Sequence, residues 1–222
     1  MLNYLHGTPF WIEQKDEMYH FNSDSEFFGK NLKIQKGETV LDIGTNNGVL
    51  LCYGSLYEPS LLYGIDIFPE VCNLARENLK RNGIDAQIET ICLQDLQHEP
   101  FDVIICNPPY FNDIEDDHHF LSKYVFAARH ERFLPLEDLF IHANRLLKKD
   151  GLLHIIYPYR LILQLIHMAN KNGFYEEAYR LAYDKEMGQK KSVILSFRKV
   201  EKKAVMYIQP AYMNNRNTFK LD

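Results

Sequence analysis

Apolar residues recur along this chain in two alternating patterns. Short apolar runs bounded by Gly, Pro or Asn fall at Thr39–Ile43, Leu61–Ile67, Ala86–Leu93 and Phe101–Cys106, and again at Leu152–Tyr157. Their length and flanks predict strands. Between them come stretches with apolar residues three and four apart. Val49–Tyr57 predicts one helix. Pro69 opens a second, with Val71, Leu74, Ala75 and Leu79 on one face and a stop at Gly83. Residues 120–130 predict a third, and Pro135 opens a fourth with Leu136, Leu139, Phe140, Ala143 and Leu147 aligned. Residues 159–171 predict a fifth, ending near Gly173. Further strands are expected over 175–183 and 191–198, with a short one near 204–208. The lead-in, residues 1–36, is rich in aromatics, and Asn22 or Ser23 can cap a short helix over 24–30. Strands alternating with helices predict an α/β architecture: a mainly parallel seven-stranded sheet with helices on both faces and an antiparallel C-terminal strand. One domain is expected over 1–222, with a core at 37–200 and a tail at 201–222.

The 222 residues are 46% hydrophobic and 25% charged, which excludes a disordered or fibrous chain. No apolar run reaches the length of a membrane span, and the N-terminus MLNYLHGTPFWIEQKDE lacks a secretory pattern, so a cytoplasmic protein without a membrane partner is expected. Cys52, Cys72, Cys92 and Cys106 form no C-x-x-C pair. Reduced thiols and no metal site are expected. The net charge of −5 argues against a polyanionic partner, but its distribution argues the other way. Residues 1–119 hold 7 Lys/Arg against 20 Asp/Glu, whereas residues 120–222 hold 18 against 10. Such asymmetry suggests that the second half faces nucleic acid; a solvated mixed surface is the alternative.

In an open parallel sheet, ligands bind beyond the carboxyl ends of the strands, which directs attention to four segments. The first strand runs into Asp42-Ile43-Gly44-Thr45-Asn46-Asn47-Gly48, a turn of small residues feeding a helix N-terminus; a plain strand-to-helix turn would read the same way. Asp66 ends the second strand and can accept ribose hydroxyls or cap the next helix. Asp95 follows the third and can accept from an adenine amino group or sit as a solvated loop acid. The fourth ends in Asn107-Pro108-Pro109-Tyr110-Phe111. Two prolines there remove two N–H donors, which frees the carbonyls of residues 107 and 108, with the Asn107 side chain, to accept from a substrate.

With FNSDSEFFG, VLDIGTNNG, YGIDI, ICNPPYF and AARHERFLPLEDL in view, the chain resembles class I S-adenosylmethionine-dependent methyltransferases of Rossmann-like fold. More narrowly it resembles the bacterial tRNA (adenine-37-N6)-methyltransferase family. The resemblance covers about residues 20–208 and implies S-adenosylmethionine as cofactor and the tRNA anticodon stem-loop as partner. Carried over by residue, it implies that Gly44, Thr45 and Gly48 line the methionine part of the cofactor and Asp42 orients that loop. Asp24, with Ser23, belongs near the same end. Asp66 and its neighbour Ile67 fall at the cofactor ribose and Asp95 at its adenine. Asn107, Pro108 and Tyr110 would handle the target base, with Asn107 also beside the cofactor. Phe111, Arg129, His130, Lys190 and Lys191 would meet tRNA. Asn46 departs from the Gly usual at its position, although Asn tolerates left-handed φ. Lys148, Lys149, Arg180, Lys185, Arg198, Lys199, Lys202 and Lys203 add positive charge for tRNA. The acidic segment Asn112–His119, with adjacent His118 and His119, is expected to be a solvated loop. N5-methylation of a protein glutamine is the alternative reaction, although such enzymes usually carry a helical domain before the first strand.

Overall fold

The computed structural model describes residues 1–111, 122–184 and 188–200, together with the backbone of 205–213. The acidic segment 112–119, Lys185, Lys202 and Lys203 lie outside the described residues. The lead-in forms β1 (Leu2–Tyr4), β2 (Trp11–Glu13) and α1 (Ser23–Lys30). The α/β alternation follows as β3 (Thr39–Ile43), α2 (Val49–Ser55), β4 (Leu61–Asp66), α3 (Pro69–Arg81), β5 (Gln87–Thr90) and β6 (Phe101–Cys106). Then come α4 (Lys123–Arg129), α5 (Leu136–Leu146), β7 (Leu147–Pro158), α6 (Ile162–Lys171), β8 (Tyr175–Asp184), β9 (Lys190–Arg198) and β10 (Val205–Met213).

The sheet order is β10-β8-β9-β7-β6-β3-β4-β5. β3 pairs in parallel with β4 and β6, β4 with β5, and β6 with β7; β9 alone runs antiparallel, inserted between β7 and β8. This is the expected seven-stranded sheet with one antiparallel strand. β10 extends it by an eighth, parallel to β8. The central strands are buried on both sides, as continuous apolar runs require. Leu41, Ile43, Ile104 and Leu153 face α5 and α6, where Leu139, Phe140, Leu165 and Phe174 meet them. Val40, Val103, Ile105 and Ile156 face α1 and α2, against Phe27, Phe28, Leu51 and Tyr53.

Three boundaries differ from expectation for local physical reasons. β5 is shorter than Ala86–Leu93, because a turn closed by Asp95 N–H on the Cys92 carbonyl ends it. β7 begins at Leu147 rather than Leu152, since Asp150-Gly151 makes a bulge in a continuing strand, not a turn. Gly151 is required there: a Cβ would lie 2.8 Å from the Asp102 carbonyl oxygen. The β1–β2 hairpin has strands of three residues, too short to leave a periodic signal. As expected, Asn22 caps α1, accepting from Asp24 N and Ser25 N in a capping box.

α1 packs on α2 at unusually close range, because Gly29 has no side chain. A Cβ at Gly29 would fall 1.9 Å from Tyr53 Cδ2. The Tyr53 ring is buried, and its hydroxyl donates to the His6 carbonyl at 2.8 Å, so it cannot swing aside without losing that bond. Helix propensity alone would make Gly29→Ala stabilising by about 1 kcal/mol. Packing reverses the sign: we expect a loss of roughly 1–3 kcal/mol from overpacking, read as a lower urea midpoint at unchanged m-value. A midpoint that rises would show that the two helices are free to separate.

Candidate active site

The carboxyl ends of β3, β4 and β6 lie side by side, with Ile43 paired to Ile65 on one flank and Cys106 on the other. Beyond them opens a cavity of about 380 Å³. Of the residues implied at the sequence level, Gly44, Thr45, Asp66, Ile67, Asn107, Pro108, Tyr110, Phe111 and Arg129 line its wall. The volume falls within the range of small-molecule sites.

The loop after β3 owes its shape to three left-handed residues at alternate positions. Gly44, Asn46 and Gly48 have φ of 73°, 50° and 81°. A Cβ at Gly44 would meet nothing within 4 Å, so its missing side chain leaves room in the cavity rather than avoiding the protein. Gly48 sits behind the wall as the N-cap of α2. Asn46 is the one of the three left-handed residues that carries a side chain. Its N–H donates to Asp66 Oδ2 at 3.2 Å, and the N–H of Phe68 donates to Asp66 Oδ1 at 3.2 Å. Asp66 is thus not the N-cap of α3; that position is Phe68. Instead Asp66 ties the loop to the start of α3. Burial raises its pKa against those backbone donors.

Asp42 is completely buried behind the loop. Burial pushes its carboxyl up to about 7; the Thr45 hydroxyl is near enough to lower it, and the Asp66 carboxylate adds to the rise. Even so, no side-chain oxygen or nitrogen of Asp42, Thr45 or Asn47 has a completed hydrogen bond among the described residues, and neither has Asn46 Oδ1. Thr45, Asn46 and Asn47 all line the cavity. A run of unpaired buried polar atoms costs free energy unless a ligand completes it. The donor and acceptor set suits a compact zwitterion such as an amino acid. Asp66 still has lone pairs for two hydroxyls after accepting its two N–H bonds. The wall therefore fits a nucleoside joined to an amino acid. Asn47 was not singled out from sequence, and its orphaned carboxamide is the signal that marks it.

On the far side, Pro108 and Pro109 are buried, while Asn107 and Tyr110 are half-buried and reach the cavity. The two sequence features Asn107–Phe111 and Ala128–Glu131 prove to be one structure. The N–H groups of Tyr110 and Phe111 both donate to the Arg129 carbonyl, at 3.1 and 2.9 Å, and Glu131 N–H donates to the Phe111 carbonyl at 3.1 Å. The Arg129 guanidinium lies 4.6 Å from the Phe111 ring centroid. His130 is fully buried, stacked on Phe126 at 3.9 Å, with Nδ1 2.7 Å from the Phe126 carbonyl, so it braces this clasp rather than facing a ligand. Burial and the nearby Asp24 carboxylate raise the pKa of Tyr110, which stays a neutral phenol at neutral pH.

Other implied residues stand outside the wall. Asp95 is exposed, accepting from Cys92 Sγ at 2.8 Å; Cys92 and Gln94 line the cavity in its place. Arg145 braces that loop through the carbonyls of Leu96, Leu93 and Gln94 at 2.6, 3.1 and 3.2 Å. Asp24 accepts from Ser192 Oγ at 2.7 Å, and its neighbour Ser25 lines the cavity instead, with Tyr19 and Phe21 from the lead-in. Lys190 and Lys191 lie at the start of β9, on the same edge of the sheet as the cavity: Lys190 Nζ donates to the Tyr159 hydroxyl at 3.0 Å and Lys191 Nζ to Ser23 Oγ at 3.2 Å. Lys148, Arg198 and Lys199 stand at the opposite edge. Lys148 pairs with Asp102 at 2.8 Å, Arg198 with Glu177, and Lys199 with the Asn144 and Leu147 carbonyls. Among the described residues no cluster of His, Cys, Asp or Glu could hold a metal, and no helix is long and apolar enough to cross a membrane.

The family described as "Methyltransferase domain" matches residues 34–210. A tRNA1(Val) (adenine(37)-N6)-methyltransferase of Phocaeicola vulgatus is 26% identical over 201 residues, covering 86% of this chain and 84% of that protein. One from Aliivibrio salmonicida is 28% identical over 158 residues, 69% of this chain and 66% of that protein. A putative protein N5-glutamine methyltransferase of Methanocaldococcus jannaschii is 30% identical over 141 residues, 63% of this chain and 72% of that protein. Among solved structures, a methyltransferase from Pyrococcus furiosus superposes with a TM-score of 0.66 at 18% identity, covering 88% of this chain and 92% of that one. The ribosomal protein L11 methylase of Lactobacillus delbrueckii subsp. bulgaricus gives 0.59 at 18% identity, over 80% and 77%. The strand order, the ligand-ready loop after β3 and the Asn-Pro-Pro-Tyr end of β6 agree with these matches, and the chain belongs to the methyltransferase-domain family, as an S-adenosylmethionine-dependent methyltransferase of class I fold.

Proposed function

We propose that the protein binds S-adenosylmethionine in this cavity and methylates N6 of an adenine in tRNA, adenine 37 beside the anticodon being the position the sequence relatives suggest. The observation that carries the reading is the Asn107–Tyr110 segment, held at the cavity by the Arg129 clasp. When bound, the cofactor supplies an electrophilic methyl group on a positively charged sulfur. The chain's residues do the rest by binding and orientation. Asp66 holds the ribose hydroxyls, and the loop of Thr45, Asn46 and Asn47 takes the amino-acid end. An adenine amino nitrogen is a poor nucleophile, because its lone pair is delocalised into the ring. The Asn107 carboxamide oxygen and the Pro108 carbonyl accept its two hydrogens and favour the pyramidal nitrogen, which restores the lone pair. This is electrostatic preorganisation, with no covalent intermediate on the enzyme. Stacking on Tyr110 contributes roughly 1–3 kcal/mol towards extruding the base. Arg129 beside Phe111, and Lys190 and Lys191 on the same edge, suit an anionic strand.

The deciding experiment is incubation of the purified protein with methyl-labelled cofactor and either tRNA or a release factor, followed by mass spectrometry of the nucleosides and of the tryptic peptides. N6-methyladenosine is expected. Label appearing in a glutamine of a release factor, with tRNA unlabelled, would replace this reading by the reaction named for the M. jannaschii relative.

Asn107→Ala separates chemistry from binding. Cofactor affinity should stay within about threefold, because the cofactor is held mainly by the ends of β3 and β4. The kcat should fall on the order of 100-fold or more, since the lost interaction strengthens as the nitrogen pyramidalises. A folded variant retaining most of its kcat would refute the role given to Asn107.

The buried Asp42 predicts a pH dependence of stability in the ligand-free protein. Its folded-state pKa, about 7, lies above the ordinary value of 3.8 for this carboxyl group. The folded state therefore keeps a proton that the unfolded chain releases, and this group's contribution to stability falls as pH rises from about 4 to about 7. Asp42→Asn removes that titration. Relative to the parent, the variant should gain on the order of a few kcal/mol in urea-unfolding free energy between pH 4.5 and 7.5. Parallel stability curves over that range would mean that Asp42 is ionised at little cost, with its charge compensated.

A further inference from the structure

α3 and its C-cap carry two asparagines four residues apart, Asn78 and Asn82, and β2 lies alongside them. The N–H of Trp11 donates to Asn82 Oδ1 at 3.0 Å, and Asn82 Nδ2 donates back to the Trp11 carbonyl at 2.9 Å. The N–H of Glu13 donates to Asn78 Oδ1 at 2.8 Å, and Asn78 Nδ2 donates back to the Glu13 carbonyl at 3.0 Å. Each carboxamide thus imitates the residue of a neighbouring strand. The spacing works because four helical residues rise ~6.0 Å and two strand residues ~6.7 Å. In this way the outer edge of β2 is paired without a third strand.

The two asparagines differ in one respect. Asn82 uses its second amide hydrogen within α3, on the Asn78 carbonyl at 2.8 Å. Asn78, fully buried, donates its second one to the Asn47 carbonyl at 3.0 Å. Asn47 is the residue of the loop after β3 whose side-chain nitrogen and oxygen are both buried and unpaired at the cavity wall. Holding its carbonyl fixes the peptide between two left-handed residues, Asn46 and Gly48.

We propose that Asn78 is a positioning residue for the cofactor loop: it clamps the Asn47 carbonyl and so presets the 44–48 loop, joining it to the N-terminal hairpin. Asn82 anchors the same hairpin but does not act on the loop. The loop statement concerns the ligand-free chain; its consequence for affinity rests on the cofactor reading above.

The test compares Asn78→Ala with Asn82→Ala in the full chain, each measured well below its own melting temperature. Both variants should melt earlier. Only Asn78→Ala should speed amide deuterium uptake across residues 44–50 of the ligand-free protein, by fivefold or more. Only Asn78→Ala should weaken S-adenosylhomocysteine binding in calorimetry, by tenfold or more. Asn78→Ser, which keeps a polar group at the helix surface, takes its place should the alanine variant fail to fold. Unchanged uptake over 44–50 in a folded Asn78 variant would overturn the proposal, as would equal uptake changes in both variants. If the uptake difference appears while the parent protein does not bind S-adenosylhomocysteine, the clamp stands and the cofactor reading fails.

Discussion

Everything at the site depends on the parallel register of β3 between its two neighbours. Asp42 stands opposite Gly64 on one side and Ile105 on the other, and the three strands end within one residue of each other. That register brings a helix-capping loop, a ribose-competent carboxylate and a proline-fixed acceptor segment to one edge. Gly64, which has no side chain, leaves room for what packs over this edge. A Cβ there would come 2.8 Å from Thr45 Oγ1 and Ile88 Cδ1, so those side chains would have to move. A residue in the middle of β4 thus leaves space for a side chain two residues past the end of the neighbouring β3.

Much of this was legible from the chain because each signal is local. Pro69 and Gly83 bracket α3, and Asn107-Pro108-Pro109 stops β6 where a turn would have used Asn-Gly. The pairing of Asn107–Phe111 with Arg129–Glu131 was visible only as two recurring words. Its cause, a backbone clasp across 18 residues of sequence between Phe111 and Arg129, is tertiary. Likewise Asn47 and Asn78 carry no local signature. An asparagine in a turn and one on a helix look ordinary until burial shows which atoms are paired. Tyr19 and Phe21 were read as lead-in aromatics, and nothing in their spacing places them at a cavity formed by strands beginning 20 residues later. His130 shows the opposite case: the family resemblance implies a contact with tRNA, whereas burial against Phe126 gives it a packing role.

The charge asymmetry also changes meaning in three dimensions. The second half of the chain is basic, but β7 and β9 run in opposite directions, so Lys148 near the start of β7 and Lys190 and Lys191 at the start of β9 stand at opposite edges of the sheet, and Arg198 at the end of β9 lies at the edge of Lys148. Lys148, Arg198 and Lys199 at the far edge hold carboxylates and orphan carbonyls, which is fold maintenance. Lys190 and Lys191 stand at the edge of the sheet where the cavity opens, bonded to the Tyr159 hydroxyl and Ser23 Oγ. Sequence arithmetic cannot make this division, because it does not see strand direction. The long-range field of the chain is the sum of both sets, whereas an anionic ligand at the cavity senses chiefly the charges within about a Debye length of ~8 Å.

The pattern of paired and unpaired polar groups gives the strongest physical reason to look for ligand binding at this edge. Away from the loop, buried polar side chains are mostly satisfied: His154 is held by Ser196 Oγ at 2.8 Å and the Lys33 carbonyl at 3.3 Å, and Asn78 uses both amide hydrogens and its oxygen; exceptions such as Glu26 Oε2 and the Tyr157 hydroxyl are single scattered atoms. Along Asp42, Thr45, Asn46 and Asn47 the opposite holds, within six residues. Folding alone would favour apolar or paired residues there, since each unsatisfied buried group costs about 1–3 kcal/mol. Among the described residues such atoms are concentrated in this one six-residue stretch, so the chain's own fold leaves that stretch under-determined. Thr45, Asn46 and Asn47 line the cavity, so a molecule admitted there can supply partners, and any stability forgone at those three residues in the free protein would then return as binding energy.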